Sequence, residues 1–224
     1  MKILEIPQSG KLGTIVGQDG RFGQIRRALV IPADPKTPIQ MILRRNLTQA
    51  AKSWKSLTQA EQQAWIAVAA TVMSAPRGGT QGALYGVQLY SKINCTNLLC
   101  GNDMVRLPPP KPDIGPAVAT ALAITNPAGV VTLQLTPVGE PTPANPWIVS
   151  ASKPQSPGFN KCDHIHILGL APAPQNGLCD ISALYTAKYG VPAPGLKIWV
   201  SICATQSGWQ DPPATFMQPV PPAT

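Results

Sequence analysis

The stretch RLPPPKPDIGP, residues 106–116, carries five prolines in eleven positions. Proline offers no backbone N–H and holds φ near −65°, so such a run belongs neither in a helix interior nor in a central strand. It reads as a stiff, extended connector, and the hydrophobic period changes across it. Before it, apolar residues recur at helical spacing; after it, they alternate. A chain of 224 residues suits one large domain or two small ones. The expected division is a glycine-rich basic hairpin arm over 1–36, a helical module over 37–105, the connector over 106–116 and a β domain over 117–224. The fold class expected is α+β, multidomain.

Helix boundaries in 37–105 are written in capping residues. Thr37-Pro38-Ile39-Gln40 supplies an N-cap hydroxyl, a proline at the first helical position and a glutamine that can reach back as in a capping box. Ile39, Leu43, Leu47, Ala50 and Trp54 follow at helical spacing, and the helix should end near Ser56. Thr58-Gln59-Ala60-Glu61 is a second capping box, opening a helix with Trp65, Val68, Ala69 and Val72 on its apolar stripe. The short join predicts an antiparallel helical hairpin with Trp54 and Trp65 near its turn. A third helix is expected from about Gly82 to Cys100, using Leu84, Val87, Tyr90, Ile93 and Leu98, with Gly101 as its C-terminal cap.

The arm is harder to place. KLGTIVGQDGRFGQIRR, residues 11–27, holds four glycines and four basic side chains in seventeen positions. GTIV and FGQIRRALV are expected to pair as a hairpin that turns at Gln18-Asp19-Gly20, because glycine accepts the positive φ of a tight turn. Its glycine content makes such a hairpin poorly stable alone, so it should lie against something. The candidate surface is Gly17, Gly20, Arg21, Phe22, Gly23, Arg26 and Arg27. Three uses stay open: strand addition to a neighbouring subunit, packing on the chain's own helices, or a grip on nucleic-acid phosphates that reads no bases. A nucleotide loop is not among them. There is no G-x-x-x-x-G-K-S/T string, and Gly17, Gly20 and Gly23, spaced by three, run into a strand rather than opening a helix.

Charge supports the importance of this end. Residues 1–55 hold ten Lys/Arg against three acids, whereas the remaining 169 hold eight against seven, so the formal +8 belongs almost wholly to the N-terminal quarter. A localised basic surface suits nucleic acid or an acidic partner. Elsewhere the chain is charge-poor: charged residues are 12%, and 26 prolines are more than twice average usage. That composition fits a surface held against neighbours.

Beyond the connector, VVTLQLT sets Val131, Leu133 and Leu135 against Thr132, Gln134 and Thr136, a half-buried strand. AVATALAIT, PWIVSAS, DHIHILG, LKIWVSICA and ATFMQPV are further strands, with Asn126-Pro127-Ala128-Gly129 as a turn. One short helix interrupts them, with Asp180 as N-cap, Ile181, Leu184 and Tyr185 buried and Gly190 as its stop. Short strands between frequent turns predict an antiparallel β-sandwich.

No complete catalytic set is present. The two histidines, 164 and 166, lie two apart on one expected strand, no G-x-S-x-G occurs, and the ten acids are scattered singly. An enzyme is not expected, nor a cofactor. In KCDHIHI the residues Cys162, His164 and His166 would share one strand face and are weak candidates for zinc, but they would spread over about 13 Å and could not converge without a bend. The other reading is a polar outer face of a sandwich strand, and no metal is expected. The five cysteines at 95, 100, 162, 179 and 203 lack finger spacing and are expected as reduced thiols, with Cys95 and Cys100 on different sides of their helix. Asn46-Leu47-Thr48 and Asn94-Cys95-Thr96 match the glycosylation pattern by chance, since both fall in expected helices. No run approaches a membrane span, and the first ten residues show no apolar signal-peptide region.

WIVSASKPQSPGFN, DISALYTAKYGVPAPGLKIWVSI and the final PVPPAT resemble a fibronectin type III-like domain, as in uncharacterised phage and bacterial structural proteins. Gly17, Gly20, RFGQIRR, PKTPIQ, WKSLT and the later AW are similar to an arm-plus-helices module that recurs in phage and bacterial reading frames. What the resemblance implies is a structural role: a subunit of a virion, capsid- or tail-associated, assembling with copies of itself and with other virion or surface proteins. A bacterial extracellular filament or surface layer is the alternative setting. A nucleic-acid- or glycan-binding module is the alternative of another class.

Overall fold

A computed structural model describes residues 9–20, 23–31, 34, 36–74, 81–112, 119–162 and 164–223. It is α+β, with four α-helices and several antiparallel sheets among the described residues.

The N-terminal end forms a three-stranded antiparallel sheet: β1 (Gly10–Leu12), β2 (Ile15–Gly20) and β3 (Gly23–Ala28), side by side in chain order. The expected turn at Gln18-Asp19-Gly20 is displaced. Those residues lie in β2, and Gly20 pairs with Gly23. Arg21 and Phe22, between the paired glycines, lie outside the described residues. Gly23, at φ 96°, supplies the positive φ assigned to Gly20. Strand β1 was not anticipated; it joins β2 through Gly13-Thr14, with Gly13 at φ 58°.

Helix α1 (Pro38–Lys55) starts at its capping box, where Thr37 N–H donates to Gln40 Oε1 at 3.3 Å, and ends at Ser56. Its buried line runs through Asn46 (1% exposed) and Ala50, whereas Leu47 is 54% exposed. Positions 39, 43, 46 and 50 keep the 3.6-residue period, and 47 falls one step off it. In α2 (Gln59–Ala69) the second capping box is complete: Thr58 N–H donates to Glu61 Oε2 at 2.7 Å, and Glu61 N–H to Thr58 Oγ1 at 3.3 Å. Helix α3 (Gly86–Leu99) begins four residues later than expected. Residues 82–84 are held extended against 72–74, with Ser74 N–H donating to Gly82 O and Leu84 N–H to Val72 O.

The expected α1–α2 hairpin gives way to a different centre. Both helices pack chiefly on α3 rather than on each other. Tyr90 of α3 lies between the two tryptophans, with ring centroids 5.3 Å from Trp54 and 5.1 Å from Trp65, the latter edge-on. Asn94 and Thr96 are buried on α3, and Asn46 on α1, so neither glycosylation pattern presents an accessible asparagine.

After the connector come β4 (Ala119–Thr125), β5 (Thr132–Pro137), β6 (Trp147–Ser152), β7 (Ile165–Leu170), β8 (Cys179–Asp180), α4 (Ser182–Tyr189), β9 (Lys197–Gln206), β10 (Trp209–Gln210) and β11 (Ala214–Pro219). Strands β4, β5 and β8 form one sheet. In the other, β9 pairs with β6 on one edge and with β11 and β10 on the opposite edge, and β7 lies outside β6. The two sheets share one core. Leu122, Leu133 and Leu135 of the first, with Val131 just before β5, meet Val149, Ala151, Val200 and Ile202 of the second. Ile181 and Tyr185 of the α4 segment join them, and Gly190 ends that helix at φ 75°. Asp180, expected as the N-cap, lies two positions before the first helical residue: Ile181 is the N-cap, and Asp180 Oδ1 accepts from Ser182 N–H at 2.9 Å.

Helices and sheets meet along two lines. The start of the connector is strapped to the helices: Val105 N–H donates to Asn94 Oδ1 at 2.7 Å, Trp65 Nε1 donates to Arg106 O at 2.7 Å, and Arg106 pairs with Glu61 at 2.7 Å. The β9–β10 hairpin then inserts Trp209, 5% exposed, into the helical core beside the cluster of Trp65, Leu89, Tyr90 and Ile93. Trp209 Nε1 donates to Pro109 O at 3.2 Å. Among the described residues, no helix is long and apolar enough to cross a membrane.

Candidate assembly surface

The register of the N-terminal sheet decides which of the singled-out residues act together. Leu12 lies opposite Ile15 and Ile15 opposite Ala28; Gly10 lies opposite Gly17 and Gly17 opposite Arg26. Directly paired residues share a face, and faces alternate along each strand. One face therefore presents Leu12, Ile15 and Arg26, with the glycines between them. The other presents Lys11, Val16, Ile25 and Arg27. Arg26 and Arg27, expected to act as one basic patch, point to opposite faces. Arg21 and Phe22 lie outside the described residues.

The first face is a shallow trough. Gly10 and Gly17 have no side chains to fill its floor, and Leu12, Ile15 and Arg26 form its walls around a space of about 580 Å³. Its apolar walls stay exposed, Leu12 at 75% and Ile15 at 47%. Ile25 on the opposite face is 50% exposed. Among the described residues the sheet makes no substantial contact with any other element. Its three strands carry aliphatic side chains on both faces, and among the described residues the ladder is their main tie.

The basic residues downstream are differently placed. Arg44 forms an ion pair with Asp34 at 2.9 Å, which lowers the Asp34 carboxyl pKa and raises that of Arg44. Arg44 therefore faces an acid of its own chain rather than extending the basic surface of the arm.

The KCDHIHI constellation does not share one strand. β7 starts at Ile165, so Cys162 and His164 precede it and only His166 is on it. The strand was drawn too long at its N-terminal end, and with it the common face. Among the described residues, no group of three His, Cys, Asp or Glu side chains is placed to hold a metal ion. His166 instead borders a pocket of about 250 Å³ between the start of α1 (Thr37, Ile39, Gln40) and Lys188 and Tyr189 of α4. Burial, then the charges of Lys188 and His164, push its pKa down. Lys188 Nζ donates to Ile167 O at 2.6 Å.

What sequence reasoning missed at this surface is β1, and with it Leu12. The signal was present: Leu12 and Ile15 flank Gly13-Thr14, two apolar residues around a two-residue glycine turn. The stronger Asp-Gly pair downstream drew the hairpin to itself. No family model matches the chain, and no curated protein matches it.

Proposed function

We propose that the chain is a non-enzymatic structural subunit of a self-assembling, repetitive assembly, with a phage virion as its setting, and that the β1–β3 sheet is the arm by which one copy joins the next. The observation that carries this reading is the exposure of Leu12, Ile15 and Ile25 on a sheet that makes no substantial contact with another element among the described residues. A three-stranded sheet gains independent stability from a buried apolar face, and a neighbouring copy would supply that burial. The sheets of residues 119–219 would then form a β-sandwich of fibronectin type III kind, carried by the arm. Support for that architecture comes from the single core shared by two antiparallel sheets and from the strict alternation of Val131, Leu133 and Leu135.

The register weighs against a nucleic-acid arm. A phosphate-binding surface concentrates positive charge on one side, whereas Arg26 and Arg27 are divided between two faces, each shared with aliphatic side chains. That arrangement suits a protein neighbour.

The test is deletion of residues 1–36. Light scattering and negative-stain imaging of the full chain should show regular particles or filaments, and the truncated chain should give a monomer with its circular dichroism retained. Truncated protein that builds the same particles would refute the arm. Salt-sensitive DNA binding by the full chain, lost on changing Arg26 and Arg27 to Ala, would favour the nucleic-acid reading instead.

A further inference from the structure

Helix α3 places Ile93, Thr96, Asn97 and Cys100 on one face, at i, i+3, i+4 and i+7. The β9–β10 hairpin is seated along this line. Gly208 approaches Ile93 and Asn97, Gln210 Nε2 donates to Thr96 Oγ1 at 3.2 Å, and Thr205 Oγ1 lies 3.5 Å from Cys100 Sγ. Thr205 gives its own proton to Pro146 O at 2.8 Å, so the Cys100 thiol is the donor in that contact. On β9, Ile198, Val200, Ile202 and Ala204 belong to the sheet core. The alternate positions Cys203 and Thr205 therefore face the other way, on the side where Cys100 lies. Two positions along a strand span about 7 Å, so the Cys100 sulfur that contacts Thr205 lies on the Cys203 side of the strand, near enough for its charge to act on that thiol. Burial, with smaller contributions from the neighbouring Cys100 and Asp211, pushes the Cys203 thiol up to about 11.

We propose that Cys100 and Cys203 are a redox modification site: under a disulfide oxidant they close into one disulfide that locks the helices onto the β9 sheet. With glutathione disulfide, the Cys100 thiolate attacks one glutathione sulfur, breaks its S–S bond and releases one glutathione thiolate. Cys203 then loses its proton to solvent, and its thiolate attacks Cys100 Sγ and expels the second glutathione. Two protein thiols are oxidised, and one glutathione disulfide is reduced to two glutathiones. All five cysteines are free thiols in the structure, so the site is in its reduced form. Cys179 is turned away from this chemistry, with its Sγ donating to Pro172 O at 3.2 Å.

The experiment uses the full native chain, incubated with glutathione disulfide at pH 8.5 so that some thiolate is populated, then alkylated, digested without reductant and mapped by mass spectrometry. The expected result is loss of two thiols, one cross-linked peptide pair containing Cys100 and Cys203, and a Tm rise on the order of 5–10 °C that dithiothreitol reverses. Cys100→Ser and Cys203→Ser should each abolish the cross-link and the Tm rise, and Cys95→Ser should keep both. Five intact thiols, glutathione adducts that never close, a bond from Cys100 to Cys95, or a cross-link seen only in urea would each overturn the proposal. So would a Cys100–Cys203 bond that leaves Tm unchanged. The wild-type peptide map decides the pairing even if a serine variant fails to fold.

Discussion

Replacing Gly208 with alanine tests whether helices and sheets form one packed body. Gly208 has φ 82°, and a Cβ there would lie 2.5 Å from Ile93 O, 2.6 Å from Ile93 Cγ2 and 3.0 Å from Asn97 Oδ1. Two of these obstacles belong to Ile93, which is fully buried in α3, and one of them is backbone, which cannot rotate aside. Gly195 is a matched control: its φ is also 82°, but nothing lies within 4 Å of its added Cβ. Gly195→Ala should cost only the left-handed backbone term, roughly 1–2 kcal/mol. Gly208→Ala should cost that term plus overpacking of roughly 1–3 kcal/mol. Urea unfolding followed by tryptophan fluorescence measures both, with the comparison made at equal m-value. The expected result is a larger loss for Gly208→Ala by at least about 1 kcal/mol, the low end of that overpacking cost. Equal losses would refute the seating of the hairpin on α3, because the two sites share their φ and differ in what an added Cβ would meet.

Trp209→Ala should destabilise by about 3–5 kcal/mol, since it empties a site 5% exposed within the helical core. In urea unfolding, Trp209→Phe should recover most of that loss, and an Ala variant no less stable than wild type would contradict the insertion. The Glu61–Arg106 pair predicts an acid dependence. The Arg106 guanidinium, then the Thr58 N–H, hold the Glu61 carboxyl at about 2, below the roughly 4.3 of an unfolded glutamate. Its stabilising contribution is therefore complete above the unfolded value and is lost as pH falls from there through the folded one. The Tm gap between wild type and Glu61→Gln should hold steady above pH 5 and close toward pH 2. A gap unchanged at pH 2 would refute the pairing.

Local chemistry was legible and distant contacts were not. Thr37, Gln40, Thr58 and Glu61 announce their helix starts because each capping bond spans three residues. Val131, Leu133 and Leu135 announce their strand because alternation is local too. Asn46 was passed over because a polar residue in an apolar line carries no hydrophobic signal, and Leu47 was taken in its place. The late start of α3 depends on pairing with 72–74, which no periodicity displays. The ladder runs on through Gln18, Asp19 and Gly20, where the sequence suggests a turn, because Asp19-Gly20 has turn chemistry whether or not the ladder uses it. At the candidate surface the residue types were legible but their division between two faces was not, since that depends on register. Trp209 was invisible as a helical core residue, because its partners lie more than a hundred positions earlier in the chain.

The register also bears on the geometry of assembly. Each face of the arm carries an arginine beside its aliphatic residues, so two copies stacked face to face on a two-fold axis would bring like charges near the apolar contact they are trying to bury. Arm-to-arm stacking is thereby disfavoured, and on the assembly reading the arm docks on a different surface of its neighbour. Such a contact is heterologous: the surface that gives is not the surface that receives, and every added copy leaves one arm and one receiving surface free. The same contact, repeated, closes into a ring or runs on as a filament according to the rotation between neighbours. On the proposed assembly an arm of this construction would support repetitive growth, and a discrete two-fold dimer as the end state would count against it.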